Sequence, residues 1–415
     1  VFQGGRTVKS VGLLSGKAFG LGNEHWLERM PCVGYALLTK FTSPKHRLSL
    51  PFFWAFVQYL ERVRVSNFIL NTIWRIRMIQ DATKFKLPEV FIVSSGRSGT
   101  TLLVSILNAS EQIYIPYESD FIARAYPHYQ HKENFTEADY KQISKIFKLS
   151  AKQDGWGMSE DYVVGLLHEN APQTFAEVNS VIYRAFHQQE KTDSLQWGIK
   201  APVLIASLDR IHQVCPNAKI VHVIRDGRDV YLSYKKIHES SEIKFGPKGV
   251  IENALYWVDG LRRVEDFLKL NLTHQFFELR YDDLLNNPES ILMQLCAFLE
   301  IEYKSSMHEN FNECGRNKKV VPTHFRQSIH KKLYGGLDPN NARKYLNYMS
   351  VLEQIQYELI AIPYLIKYGY KPEYPVLNSF LFAPIRGVLY SLSRQFNDWR
   401  YTKRDRKIYK QACHI

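Results

Sequence analysis

Between residues 89 and 108 the chain runs from an apolar stretch, Val90-Phe91-Ile92-Val93, through Ser94-Ser95-Gly96-Arg97-Ser98-Gly99 into a helical pattern over 100–108. A short β-branched and aromatic run that stops at a glycine reads as a strand buried on both faces. Similar runs recur at 196–199, 219–224 and 275–279, with helical patterns following at 205–214, 229–237, 249–268 and 288–299. Strands alternating with helices imply an α/β fold: a P-loop-like parallel sheet flanked by helices. Helical patterning over 135–190 and 350–360 adds to the flanking layers, and helical extensions are expected at both ends.

The loop between the first strand and its helix constrains the chemistry as well. Gly96 and Gly99 let the backbone turn tightly and approach a ligand closely. The N–H groups that open a helix point at an anion, and the helix dipole assists. Ser98, Thr100 and Thr101 add hydroxyl donors and Arg97 a fixed cation. Together they form a phosphate cradle. A Walker A loop places Lys before its final Ser or Thr, and here that position is Gly99. This weakens a triphosphate reading. A P-loop kinase would also need a magnesium-binding Asp after a strand.

A second cluster lies at 225–233. Arg225 follows the strand over 219–224, where parallel sheets place ligands, and Ser233 lies two helical turns further on. Arg228 is read as a solvated residue of a surface turn capped by Asp226 or Asp229. Lys200 follows another strand and precedes Pro202, placed either toward the site or in solvent. His222 alternates within a buried strand and is read as a core histidine.

The order of these blocks resembles that of sulfotransferases that use 3′-phosphoadenosine-5′-phosphosulfate (PAPS). The first loop is similar to that family's 5′-phosphosulfate loop. The run 223–233, an Arg after a strand with a Ser eight residues later, is similar to its 3′-phosphate motif. Leu279-Arg280-Tyr281-Asp282-Asp283-Leu284 resembles the next block, whose Tyr lies near the nucleotide. The pattern is closest to the tyrosylprotein sulfotransferases and related bacterial enzymes. The resemblance implies transfer of a sulfuryl group from PAPS to a hydroxyl or amine, with PAP released and no metal. It implies nucleotide contacts from Gly96, Arg97, Ser98, Gly99, Thr100, Thr101, Arg225, Ser233 and Tyr281. Ser328 and Lys331, in a basic loop over 318–334, match a lid over the nucleotide. Arg97 and Lys200 would stabilise the leaving phosphate. Glu118, twenty-one residues after Arg97, matches the base of the tyrosylprotein branch. His128, His212 and His222 are alternative bases, His128 the strongest of them. Asp120 stands where that branch has an acceptor-contacting Arg, and its paired cysteines are absent, which argues against a protein tyrosine as acceptor.

The expected organisation is a lead-in over 1–48, an amphipathic segment over 49–86, a catalytic domain over 87–370 and a basic amphipathic extension over 371–415. Val1-Phe2-Gln3-Gly4 reads as an expression-tag remnant, with any native targeting segment lying outside this sequence. The net charge of +13 and pI near 9.3 favour anionic partners. A basic module for membranes or nucleic acid is the non-catalytic alternative, although nothing resembles a nucleic-acid reader. Five scattered cysteines without a CxxC pair argue against a zinc site or a disulfide framework. The compartment is read as cytoplasmic or peripheral membrane, with a secretory lumen open. The terminal aromatic and basic segments are compatible with peripheral membrane contact. The acceptor stays open among lipid, glycan, small metabolite and peptide, as does the oligomeric state.

Overall fold

The computed structural model describes residues 87–150, 156–189, 196–240, 244–312 and 336–413. The expected segments over 1–48 and 49–86, and the loop bearing Ser328 and Lys331, lie outside them.

Strand β1 (Val90–Val93) leads into α1 (Thr100–Asn108), followed by β2 (Ile113–Tyr114). A helical stretch comes next: α2 (Phe121–Tyr129), α3 (Glu137–Ser150), α4 (Glu160–Asn170) and α5 (Phe175–Gln189). Strand β3 (Gln196–Lys200) passes through a 3₁₀ turn at Pro202–Ser207 into α6 (Leu208–Val214). After β4 (Lys219–Ile224) come α7 (Gly227–Ser240) and α8 (Val250–Leu268). Strand β5 (Phe276–Arg280) runs into α9 (Tyr281–Asn286), α10 (Pro288–Leu299) and α11 (Ser306–Glu309). The described chain ends with α12 (Tyr345–Tyr348), α13 (Val351–Lys367) and α14 (Ala383–Cys413). Four strands match the sequence expectation to within a residue or two. The two-residue β2 was not anticipated, because so short a run has no readable period.

Among the described residues the strands form one parallel sheet in the order β2-β3-β1-β4-β5. Its burial explains the unbroken apolar runs. Phe91 and Val93 face one core cluster with Ile199, Ile220 and the helices α2 to α6. Val90 and Ile92 face the other, with Leu103, Val221, Leu284 and Leu295. Each such side chain contributes about 1.5–3 kcal/mol relative to exposure. A third cluster packs α7 and α8 against α12 and α13 around Trp257 and Tyr357. Gly227 opens α7 there because a Cβ would lie 2.2 Å from Tyr357 Oη.

Helix starts follow the sequence. The Ser159 side chain caps α4 by accepting from Tyr162 N–H, and Ser350 with Glu353 forms a reciprocal capping box on α13. Buried polar contacts help hold the long α14. Asp405 accepts from Arg124 at 2.6 Å and Arg210 at 3.2 Å, and Asn397 donates to Asp259 at 2.9 Å. Its first half keeps an apolar stripe exposed. No described helix is long and apolar enough to cross a membrane.

Arg228 departs from the sequence expectation. It is wholly buried, not solvated. Its guanidinium donates to Asp226 at 2.7 Å, Glu358 at 2.6 Å and the Lys371 carbonyl at 3.0 Å, and lies 3.7 Å from the Tyr345 ring centroid. It clamps the turn after β4 to α12 and α13. Apart from Asp226, the partners Glu358, Lys371 and Tyr345 lie more than a hundred residues away in sequence, which is why the local reading missed the burial.

Candidate active site

The carboxyl ends of β1, β3, β4 and β5 lie along one edge of the sheet. The chain places β2 and β3 on one side of β1 and β4 and β5 on the other, so β1 sits at the switch point where parallel sheets bind ligands. The loop after β1 takes a shape that only its sequence allows. Gly96, Arg97 and Gly99 all have positive φ, at 72°, 57° and 91°. A Cβ on Gly96 would lie 2.4 Å from Tyr234 Oη, and one on Gly99 would lie 2.3 Å from the Tyr281 ring. Gly99 caps α1 without any side-chain acceptor, so the first-turn N–H groups receive no capping bond from it. Inside the loop Ser94 Oγ accepts from Gly96 N–H at 3.1 Å, and Ser98 Oγ donates to the Gly96 carbonyl at 3.2 Å. The Ser98 hydroxyl therefore braces the loop.

Two arginines converge on it. Arg97 Nε donates to Ser233 Oγ on α7 at 3.0 Å. Arg225, at the end of β4, donates to the Arg97 carbonyl at 3.3 Å and the Asn341 carbonyl at 2.7 Å, and lies 4.8 Å from the Tyr281 ring centroid. Asp229 is 3.6 Å from Arg225, and Arg225 Nε is buried without a hydrogen-bond partner among the described residues. Burial pushes the Arg97 guanidinium below its ordinary value; the neighbouring Arg225 adds to this, while Tyr234 and Glu118 oppose it. Two cations lining one cleft favour an anionic ligand there.

At the end of β3, Lys200 is wholly buried. Its ammonium donates to Glu118 Oε1 at 2.7 Å and Thr101 Oγ1 at 3.1 Å, and lies 5.5 Å from the Tyr117 ring centroid. Gly96, Arg97, Gly99, Thr100, Thr101, Glu118, Arg225, Ser233 and Tyr281 all line one cleft. The rival histidines lie elsewhere. His128 stacks on Tyr409 at 3.7 Å, His212 meets Phe267 edge-on, and His222 is buried within 3.0 Å of Glu278.

Sequence reasoning missed several cleft neighbours. Tyr234 and Tyr256 pack edge-to-face at 6.1 Å beside Gly96, and burial pushes the Tyr234 phenol up to about 12. Asn341 offers its carbonyl to Arg225, and α14 supplies Arg400 and Arg404 to the cleft wall. Tyr234 directly follows Ser233, so the helix carrying the Ser was the available signal. Nothing local pointed to Asn341 or to α14.

A model of the sulfotransferase family matches residues 88–305, a little over half of the chain. The chain belongs to the sulfotransferase family. Sulfuryl transfer is the family's chemistry, and the match spans every block on which the sequence resemblance rested. Among curated proteins, an uncharacterized protein of Aquifex aeolicus is 24% identical over 280 residues, covering 64% of this chain and 32% of its own length. The omega-hydroxy-beta-dihydromenaquinone-9 sulfotransferase Stf3 of Mycobacterium tuberculosis is 23% identical over 249 residues, covering 51% of this chain and 62% of its own. The chain thus spans less than two thirds of either relative. Among solved structures, the sulfotransferase domain of the Synechococcus PCC 7002 olefin synthase is 19% identical at a TM-score of 0.48, covering 68% of this sulfotransferase and 95% of that domain.

Proposed function

We propose that this sulfotransferase uses PAPS as donor and transfers its sulfuryl group to a hydroxyl or amine of the acceptor, releasing PAP. The observation that carries the reading is the convergence of two partly buried arginines, Arg97 and Arg225, on a left-handed glycine loop at a helix start. That set suits a ligand with two separated phosphates. First-turn N–H groups of α1, with Thr100, Thr101 and Arg97, would hold the 5′ end, and Arg225 with Ser233 the 3′-phosphate. Tyr281, already stacked beside Arg225, would lie near the adenine. Ser98 would keep the loop in shape. Ser328 and Lys331 stay as proposed lid residues on sequence grounds.

Bound there, PAPS would supply a sulfuryl group whose bond to phosphate breaks as an acceptor oxygen–sulfur bond forms, PAP leaving with the electron pair. The chain's own work is positioning and charge stabilisation. Lys200, buried behind Thr101 and bonded to its hydroxyl, would offset charge developing there. Glu118 lines the cleft and would take the acceptor proton, and its contact with Lys200 fixes the carboxylate's orientation. His128, stacked on Tyr409, is less well placed for that role.

Isothermal calorimetry with PAP tests the site. Arg97→Ala and Arg225→Ala should each weaken binding by at least about tenfold, as expected for lost charge-assisted hydrogen bonds. Wild-type affinity in both variants overturns the assignment.

A further inference from the structure

The cleft continues well past Glu118. It spans about 2690 Å³, is open to solvent, and runs on between α7, the start of α8 and α14. Pockets for small ligands measure roughly 300–1,000 Å³. A nucleotide over the β1 loop leaves much of this space for the acceptor.

Two kinds of wall line the cleft. One is cationic, contributed by α14. Arg404 reaches within 3.6 Å of Asp120, Arg400 within 3.3 Å of Glu252, and Lys403 lies 4.7 Å from the Trp399 ring centroid. The other is apolar, made by Phe245, Ile251, Leu389, Leu392 and Phe396. Leu392 and Phe396 are each more than half exposed. Ile385, Val388, Leu392, Phe396 and Trp399 recur at helical spacing, an apolar stripe about 20 Å long at 1.5 Å per residue. The stripe stays exposed because α14 is anchored through Asp405, Asn397 and Arg394 on its other contacts. An exposed apolar strip that continues a reaction cleft marks a binding surface.

We propose that the acceptor is an amphiphile. Its hydroxyl-bearing polar head sits between Glu118 and the arginines of α14, and its apolar tail lies along Phe396, Leu392 and the start of that helix. A cleft that holds Glu118, the arginines of α14 and an apolar stripe on the same helix offers a partner to each part of such a molecule. The stripe is continuous with the reaction cleft, which favours the substrate over a second protein as its occupant. This assignment rests on the sulfuryl-transfer reading of the loop.

The test uses the full chain, labelled PAPS and n-alkyl β-D-glucosides of increasing tail length, each as monomer in solution. PAP affinity is measured first by calorimetry. The expected result is a kcat/KM that rises roughly two- to fourfold per added methylene, as progressive burial of the tail requires. Leu392→Ala/Phe396→Ala, at exposed positions, should keep PAP affinity and the melting temperature while the dependence on tail length flattens. Equal rates at all lengths, or no transfer to any glucoside despite PAP binding, overturns the amphiphile but leaves the donor site standing. A dimeric wild type made monomeric by the double variant also overturns it, assigning the stripe to a second copy. Failure to bind PAP removes the donor reading, and this inference with it.

Discussion

Replacing Gly99 by Ala tests the loop at its tightest point. Its φ of 91° is one that L side chains rarely adopt, and the left-handed backbone costs about 1–2 kcal/mol per residue. The new methyl would lie 2.3 Å from Tyr281 Cδ2 and 2.4 Å from Cε2. Carbon atoms pack at about 3.5–4.0 Å, so the ring must move by more than an ångström. Tyr281 is buried and stacked beside Arg225, so its displacement is an overpacking cost of about 1–3 kcal/mol. The two terms together predict a destabilisation of roughly 2–5 kcal/mol, against a typical total of 5–15 kcal/mol. Urea denaturation measures it, and PAP calorimetry should show at least tenfold weaker binding. Gly99→Ala/Tyr281→Ala separates the two causes. Removing the ring relieves the overlap but not the backbone strain, so the double-mutant cycle should show coupling of about 1–3 kcal/mol. A Gly99→Ala protein with wild-type stability, or a strictly additive cycle, would refute the reasoning.

Glu118→Gln should bind PAP normally and turn over about 10²–10⁴-fold more slowly; an unchanged rate moves the base elsewhere. Arg228→Met leaves Asp226 and Glu358 buried without their shared cation and should cost about 3–5 kcal/mol in chemical denaturation. A loss below 1 kcal/mol would mean that the clamp is not structural. Burial pushes the Asp229 carboxyl up to about 6, with Asp226 and Asp282 adding to the rise while Arg225 and the Tyr345 N–H oppose it. A carboxyl raised in the folded state binds its proton more tightly there than when unfolded. Its contribution is therefore full below about pH 4 and is lost as pH rises through about 6. Asp229→Asn should abolish a fall in stability of on the order of 2–3 kcal/mol across that window; a wild-type pH profile in the variant would refute this.

The tight turn after β1 was legible because its signal is local. Glycines at 96 and 99 between a buried strand and a helix permit the left-handed turn that the structure shows at both. The run from Lys219 through Arg225 to Ser233 was legible for the same reason. Arg228 was misread because its sequence neighbours, Asp226 and Asp229, suggest a surface turn, whereas Glu358 and Tyr345 lie on helices that no local pattern connects to it. The 31-residue α14 was anticipated only as a basic amphipathic segment, because its anchors, Asp405 with Arg124 and Asn397 with Asp259, are isolated polar residues without a period.

By itself the sequence determined the α/β alternation, the backbone freedom of the loop and the family, since each depends on residues close together along the chain. Only the tertiary structure decided that Arg97 meets Ser233, that Lys200 grips Glu118, and that apolar residues of α14 line the same cleft as Glu118. These pairings span from 82 to 136 residues and more. Hydrogen bonds and charge contacts act over a few ångströms, so distant residues interact only after the sheet has brought its carboxyl edges together.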